Sequence, residues 1–280
     1  MEIICTPYNG ALALIVDIDT GRVTRKVDLP EAMKVPTARP FGIAPRGDGT
    51  WYIASHDRIG HFDGDFNLLS LQTGLPGNIH QIQYDAISDR LWVAATSIDS
   101  LLSINTHTQQ SDRFCLLTDE WIPYDAPGSD TQHFNSLSWR GDRLHVVAHM
   151  LSTTNSFVRT YDRGMRRQSE WHAGREAHCI CDWQGEMLLL DSRGGAILGN
   201  RGLNIQVAES IHYTRGMAIT PDGRAVVAAF AFGARATRHT GDAYLRVYDL
   251  GARRQIGEFR LTGTGNIQDI QLWNPMAMER

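Results

Sequence analysis

The chain has 280 residues, 42% of them hydrophobic, and a formal net charge of −4. This balance excludes a nucleic-acid-binding face, which needs concentrated Lys and Arg. No apolar run approaches the ~20 residues of a membrane span. Residues 1–10 lack the basic stretch and apolar core of a signal peptide. The four cysteines, Cys5, Cys115, Cys179 and Cys181, contain no CxxC pair. The expectation is one cytoplasmic domain over residues 1–280 with reduced, packed thiols.

Three strands open the chain, at 2–6, 11–17 and 22–29. The second runs into Val16-Asp17-Ile18-Asp19-Thr20-Gly21, where alternating apolar residues give way to Asp and Gly. Alternation marks a half-buried strand, and Asp or Asn followed by Gly tolerates the positive φ of a hairpin. The same cue returns at Ile59–Gly64, at Leu102–Thr106, at Arg159–Gly164, at Ile197–Gly202 and at Val247–Gly251. From Asp19 to Asp249 is 230 residues over five intervals, or 46 per repeat. That is the length of a four-stranded propeller blade, roughly 40–50 residues.

Upstream of each later turn lies a pair of strands. The first is Phe41-Gly42-Ile43-Ala44 with Trp51-Tyr52-Ile53-Ala54, and the second is His80-Gln81-Ile82-Gln83 with Leu91-Trp92-Val93-Ala94. Asn135-Ser136-Leu137-Ser138, His178-Cys179-Ile180-Cys181 and Arg215-Gly216-Met217-Ala218 begin the next three pairs. A sixth first strand, Gln268-Asp269-Ile270-Gln271, has no partners after it. The three N-terminal strands supply them and close the ring without an open sheet edge. The sequence therefore predicts an all-β, six-bladed β-propeller with four-stranded blades, its N-terminal strands completing the last blade. Two stacked β-sandwiches are the alternative. No stretch keeps a 3.6-residue apolar period for three turns, so no long helix is expected.

The innermost strands of a propeller line its channel, and side chains alternate along a strand. The six equivalent positions, each two before a buried apolar residue, are Phe41, His80, Asn135, His178, Arg215 and Gln268. His133, two residues before Asn135, belongs at the entrance. His56, Ser97, His149 and Asp191 with Ser192, at the exits of second strands, are expected at the same rim. Five of the eleven histidines thus gather near one mouth with Arg215. The remaining six are assigned to outer strands and loops in solvent. An insertion at 118–132 should hang over this rim, and another at 230–242 carries Arg235 and Arg238.

The blade pattern and Arg39-Pro40-Phe41-Gly42 resemble the six-bladed propellers of the gluconolactonase (regucalcin-like) and strictosidine-synthase group. That resemblance implies a channel site. The lactonases bind a divalent metal there through acidic and Asn ligands, and this chain carries Phe41 where they have an Asn. His133-Phe134-Asn135-Ser136, His178 with Leu190-Asp191-Ser192, and Arg215-Gly216-Met217-Ala218 are similar to segments of uncharacterised bacterial propellers.

Three chemistries fit this residue set. His80, His133 and His178 could bind Zn²⁺, Mn²⁺ or Fe²⁺, or could act as acid and base with Arg215 as a further catalytic group. Arg215 and the histidines could instead hold an anionic ligand without reaction. Phe41, His56, Asn135, His149, Asp191 and Gln268 would contact the substrate. The sharpest expectation is a small-molecule lyase, hydrolase or cyclase, with or without a divalent transition metal. The alternative is a non-catalytic propeller for ligand sensing or protein–protein interaction. Phosphate-loop, GxSxG and HExxH motifs are absent from the sequence.

Overall fold

The recurring Asp or Asn builds the hairpin between the third and fourth strand of a blade. Asp63 Oδ1 accepts from the backbone N–H groups of Asp65 (2.9 Å) and Asn67 (2.8 Å). Asn105 Oδ1 does the same for His107 and Thr108, and Asp162 Oδ1 for Gly164 and Arg166. Asp17 and Asp249 each cap their turn with one such bond. Asn200 departs from the pattern, since its Oδ1 accepts from Met187 N–H in the second strand of its blade. These side chains satisfy turn donors that strand pairing leaves open.

The computed structural model describes residues 1–9, 11–76, 78–209, 212–231 and 240–273. Its sheets form a six-bladed β-propeller. The innermost strands of blades I to VI are Pro40–Pro45, Ile79–Asp85, Phe134–Arg140, His178–Trp183, His212–Ile219 and Ile267–Leu272. Each contacts the next, and the last contacts the first. Blade VI is composite: Glu2–Pro7 pairs with Ile267–Leu272, followed outward by Leu12–Asp17 and Val23–Asp28. Cys5 stands opposite Ile270 and Ile3 opposite Leu272.

The core is divided among six seams, one between each pair of adjacent blades. Successive residues of one strand serve opposite seams. Ile3 and Cys5 pack against Val226, Ala228 and Leu245 of blade V, whereas Ile4 packs with Ile43, Trp51 and Ile53 of blade I. Both faces are dry, so such strands read as apolar runs. Burial of each large apolar side chain contributes about 1.5–3 kcal/mol. Cys179 and Cys181 pack in the seam between blades IV and V, and all four cysteines are unpaired. Past blade VI, Trp273 stacks on Trp51 (4.8 Å between ring centres) and on Phe66 (5.1 Å).

One feature differs from the sequence expectation. Blade II has a fifth strand, Glu120–Ile122, paired outside Ser111–Cys115. Part of the insertion therefore extends the outer edge of a blade; its end returns to the mouth, where Asp99 Oδ2 accepts from Thr131 and Gln132 N–H. Among the described residues one short α-helix forms, Leu29–Met33, capped by Asp28 accepting from Glu31 N–H and started by Pro30. Among the described residues no helix is long and apolar enough to cross a membrane.

Candidate functional site

Each innermost strand carries a register shift close to its start. In blade I, Phe41 and Gly42 together lie opposite Ala54, and in blade II His80 and Gln81 lie opposite Ala94. Arg215-Gly216 faces Ala228, and Gln268-Asp269 faces Thr6. In blades III and IV the shift falls at Asn135 and Cys179. A bulge of this kind bends the strand and re-aims its side chains. Six bulges in register turn six side chains towards one axis.

The second residue of the bulge ties adjacent blades together. Gln81 Oε1 accepts from Leu137 N–H (3.1 Å), Ser136 Oγ from Cys179 N–H (3.0 Å), and Asp269 Oδ2 from Ile43 N–H (2.9 Å). At Gly42 the next blade comes so close that a Cβ would lie 2.6 Å from the His80 carbonyl oxygen. Thr6 Oγ1 donates to the Phe41 carbonyl (2.7 Å) and accepts from Asp269 N–H (3.1 Å).

Above this frame opens a cavity of about 300 Å³. Its lower wall is Phe41, His80, His178, Arg215 and Gln268. Asn135 lies deeper, in a narrow continuation lined also by Ser136, Cys179 and Asp269. The upper wall is Asn78, His133, Glu176, Tyr213 and Asn266, each two residues before a lower-wall position, joined by His149 and Tyr8. Rings follow one another around the wall. Phe41 stacks on His80 (5.5 Å), His80 meets His133 (5.2 Å), His133 meets His149 (4.4 Å), and His149 meets His178 (6.0 Å).

Two predicted contact residues line neither the cavity nor its narrow continuation. His56 is exposed at φ 51° in the turn after Trp51–Ser55, where its carbonyl accepts from Ile79 N–H. Asp191 Oδ1 accepts from Arg175 N–H (3.0 Å) and Gly194 N–H (2.9 Å), and so shapes a hairpin. Its neighbour Ser192 reaches the site instead, 2.9 Å from His178 Nδ1. His145, expected in solvent, is buried in blade III against Thr160 Oγ1 (3.0 Å). Arg235 and Arg238 lie outside the described residues.

The hydrogen bonds fix which ring nitrogen carries the proton in the buried histidines. His178 Nδ1 lies 2.8 Å from the Glu176 carbonyl oxygen, which only accepts, so Nδ1 is protonated and Nε2 keeps its lone pair. His149 Nδ1 is 3.1 Å from Asn135 Nδ2, an amide donor, so the proton of His149 sits on Nε2. The amide orientation follows from its other bonds: Nδ2 also donates to the Ala177 carbonyl (3.1 Å), and Oδ1 accepts from Ser136 Oγ (2.9 Å). Burial, reinforced by the Arg215 charge and neighbouring imidazoles, holds His80 and His178 well below the ordinary histidine range. Burial, with His133 and Arg215, takes His149 down to about 3. Beneath them, burial raises the Asp269 carboxyl to about 7 against the pull of Ile43 and Ile270 N–H.

The donor set does not fit a resident metal ion. Among the described residues no three His, Cys, Asp or Glu side chains are grouped to hold one. Physically, the Nδ1 lone pair of His149 is engaged by an amide donor, and His80 Nδ1 is 3.5 Å from Arg215 Nη2, a cation. Among the described residues His80, His133 and His178 are not grouped as the triad of ligands anticipated from the sequence.

No protein-family model and no curated protein matches the chain. Solved structures do match in fold. A protein of unknown function from Bacteroides caccae superposes with a TM-score of 0.67 at 10% identity, over 96% of this chain and 97% of the other. Hydrazine synthase from Kuenenia stuttgartiensis gives 0.58 at 14% identity, over 98% and 91%. The calcium-binding protein regucalcin from Agrobacterium tumefaciens gives 0.57 at 12% identity, over 81% and 75%. The architecture is that of a propeller with regucalcin and bacterial proteins of unknown function among its structural neighbours. At these identities the likeness concerns fold alone.

Proposed function

We propose that this propeller is a small-molecule enzyme whose substrate is a small anion, held at Arg215 and worked on by neutral histidines. One observation carries the reading: a guanidinium faces buried imidazoles that stay uncharged at neutral pH, all in the wall of one polar cavity. Arg215 supplies a fixed positive charge for a carboxylate or phosphate. An anion beside it cancels part of the field that depresses His80 and His178, so substrate arrival itself makes these imidazoles more basic. At roughly 30 Å³ per water-sized group the cavity takes a ligand of about ten heavy atoms. The polar wall favours this reading over an interaction propeller with an apolar rim, and its unpaired thiols suit a reducing compartment.

The test is a panel of small carboxylates and phosphates, with binding measured by calorimetry and turnover by NMR. At least one anion should bind wild type. Loss of a charge-assisted bond of about 1.5–3 kcal/mol predicts ~10- to 100-fold weaker binding in Arg215→Gln. Turnover should vanish in His178→Gln while binding persists. Binding without turnover across the panel favours the sensing role, and no binding at all sinks the reading.

A further inference from the structure

The two histidines whose ring protons are fixed by amide and carbonyl partners face the cavity with opposite polarity. Among the described residues neither His178 Nε2 nor His149 Nε2 has a hydrogen-bond partner, and neither is sealed from the cavity. His178 presents a lone pair there, held so by the Glu176 carbonyl and Ser192. His149 presents an N–H, held so by Asn135. Their ring centres are 6.0 Å apart, which leaves a small planar group in reach of both.

We propose that the substrate is a carbonyl compound bearing an anionic group, that His178 Nε2 is its general base, and that His149 Nε2–H stabilises the resulting oxyanion. The proposal rests on the anion-binding reading of Arg215. In the step, the C–H bond next to the carbonyl breaks and its proton goes to His178 Nε2. The C–H electron pair forms a C=C bond while the carbonyl π pair moves onto oxygen, where the His149 N–H donates. Return of the proton from His178 Nε2 to that oxygen completes a keto–enol isomerisation, with no oxidant, reductant or second reactant. A neutral imidazole suits the donor role because it stabilises charge without surrendering its proton. Asn135 and Ser192 are positioning residues, acting through the rings they orient.

The test uses ¹⁵N NMR of the ring nitrogens in the whole unliganded protein, then calorimetry with acetate and oxalate. Acetate offers only the anion for Arg215, whereas oxalate adds a second planar oxyanion in the place of an enolate oxygen. The expected result is His178 protonated on Nδ1 and His149 on Nε2, with oxalate binding at least tenfold tighter than acetate. His149→Phe should abolish that preference while acetate still binds. Asn135→Asp should move the His149 proton to Nδ1 and abolish the preference for oxalate. A Nε2 proton on His178, or a Nδ1 proton on His149, overturns the assigned polarity while leaving the anion site intact. Equal affinity for the two anions overturns the oxyanion role. Failure of both to bind removes the anion site and the proposal with it. The tautomer measurement needs no variant, so a misfolded substitution does not protect the proposal.

Discussion

Lowering the pH from 6.5 to 4.5 should destabilise this protein steeply, and the buried histidines set the size of the effect. His80, His145, His149 and His178 are all depressed in the fold, His145 to about 4 and His149 to about 3, chiefly by burial. Below pH 6.5 the unfolded chain takes up protons that the folded chain refuses, so the stability present above that pH drains away as the pH falls. A mismatch of one pH unit is worth about 1.4 kcal/mol per group, so each imidazole costs ~2 kcal/mol over the interval and four cost ~8 kcal/mol. Asp269 works in the opposite sense. Its folded value of about 7 lies above that of a free carboxyl, so the folded state binds its proton first as the pH falls. This returns ~2–3 kcal/mol, leaving a net loss of ~5 kcal/mol, comparable with the whole stability of many domains. Urea titrations followed by fluorescence of the seven tryptophans measure the slope directly. His145→Gln, remote from the cavity, should flatten it by about two-fifths. Stability that stays level or rises on acidification, or a slope unchanged in His145→Gln, would refute the reasoning.

Three further outcomes follow from the frame and the site. Gly42→Ala places a Cβ against the His80 carbonyl and Ile82 N–H, backbone atoms that cannot swing aside, and should cost about 1–3 kcal/mol in a urea titration. Thr6→Val leaves Asp269 N–H and the Phe41 carbonyl without their shared hydroxyl, and should cost ~2 kcal/mol by the same assay. Arg215→Gln removes a positive charge that depresses His80 and His178, so both should titrate at higher pH in histidine NMR; unchanged values would show that burial alone sets them.

The fold was legible because its signals repeat. The Asx turns recur about every 46 residues, and the first strands of the blades carry the same apolar pattern, so two independent series count the same blades. The lower wall of the cavity was legible for the same reason. Strict alternation along a strand is interrupted by the bulges, but the displacement occurs in every blade, so equivalent residues stay equivalent. The upper wall needed only a wider use of the step that leads from Asn135 back to His133. The same step of two gives Asn78, Glu176, Tyr213 and Asn266 in other blades. His56 and Asp191 were misplaced because a strand exit was equated with the rim. Tight turns there use positive φ and backbone capping, which direct those side chains away. The fifth strand of blade II escaped notice because three residues, Glu120–Ile122, are too short to show a period.

The closure of blade VI also orders assembly in time. Residues 2–7 find their inner partner only in residues 267–272, nearly the whole chain away. During synthesis the strands at 2–28 wait with one edge unpaired while five blades form beside them. The ring cannot lock until the last strand has been made. Because closing so long a loop is entropically slow, the final zipping of 2–7 onto 267–272 is the step at which an incomplete chain is most exposed to pairing with a neighbour instead of with itself.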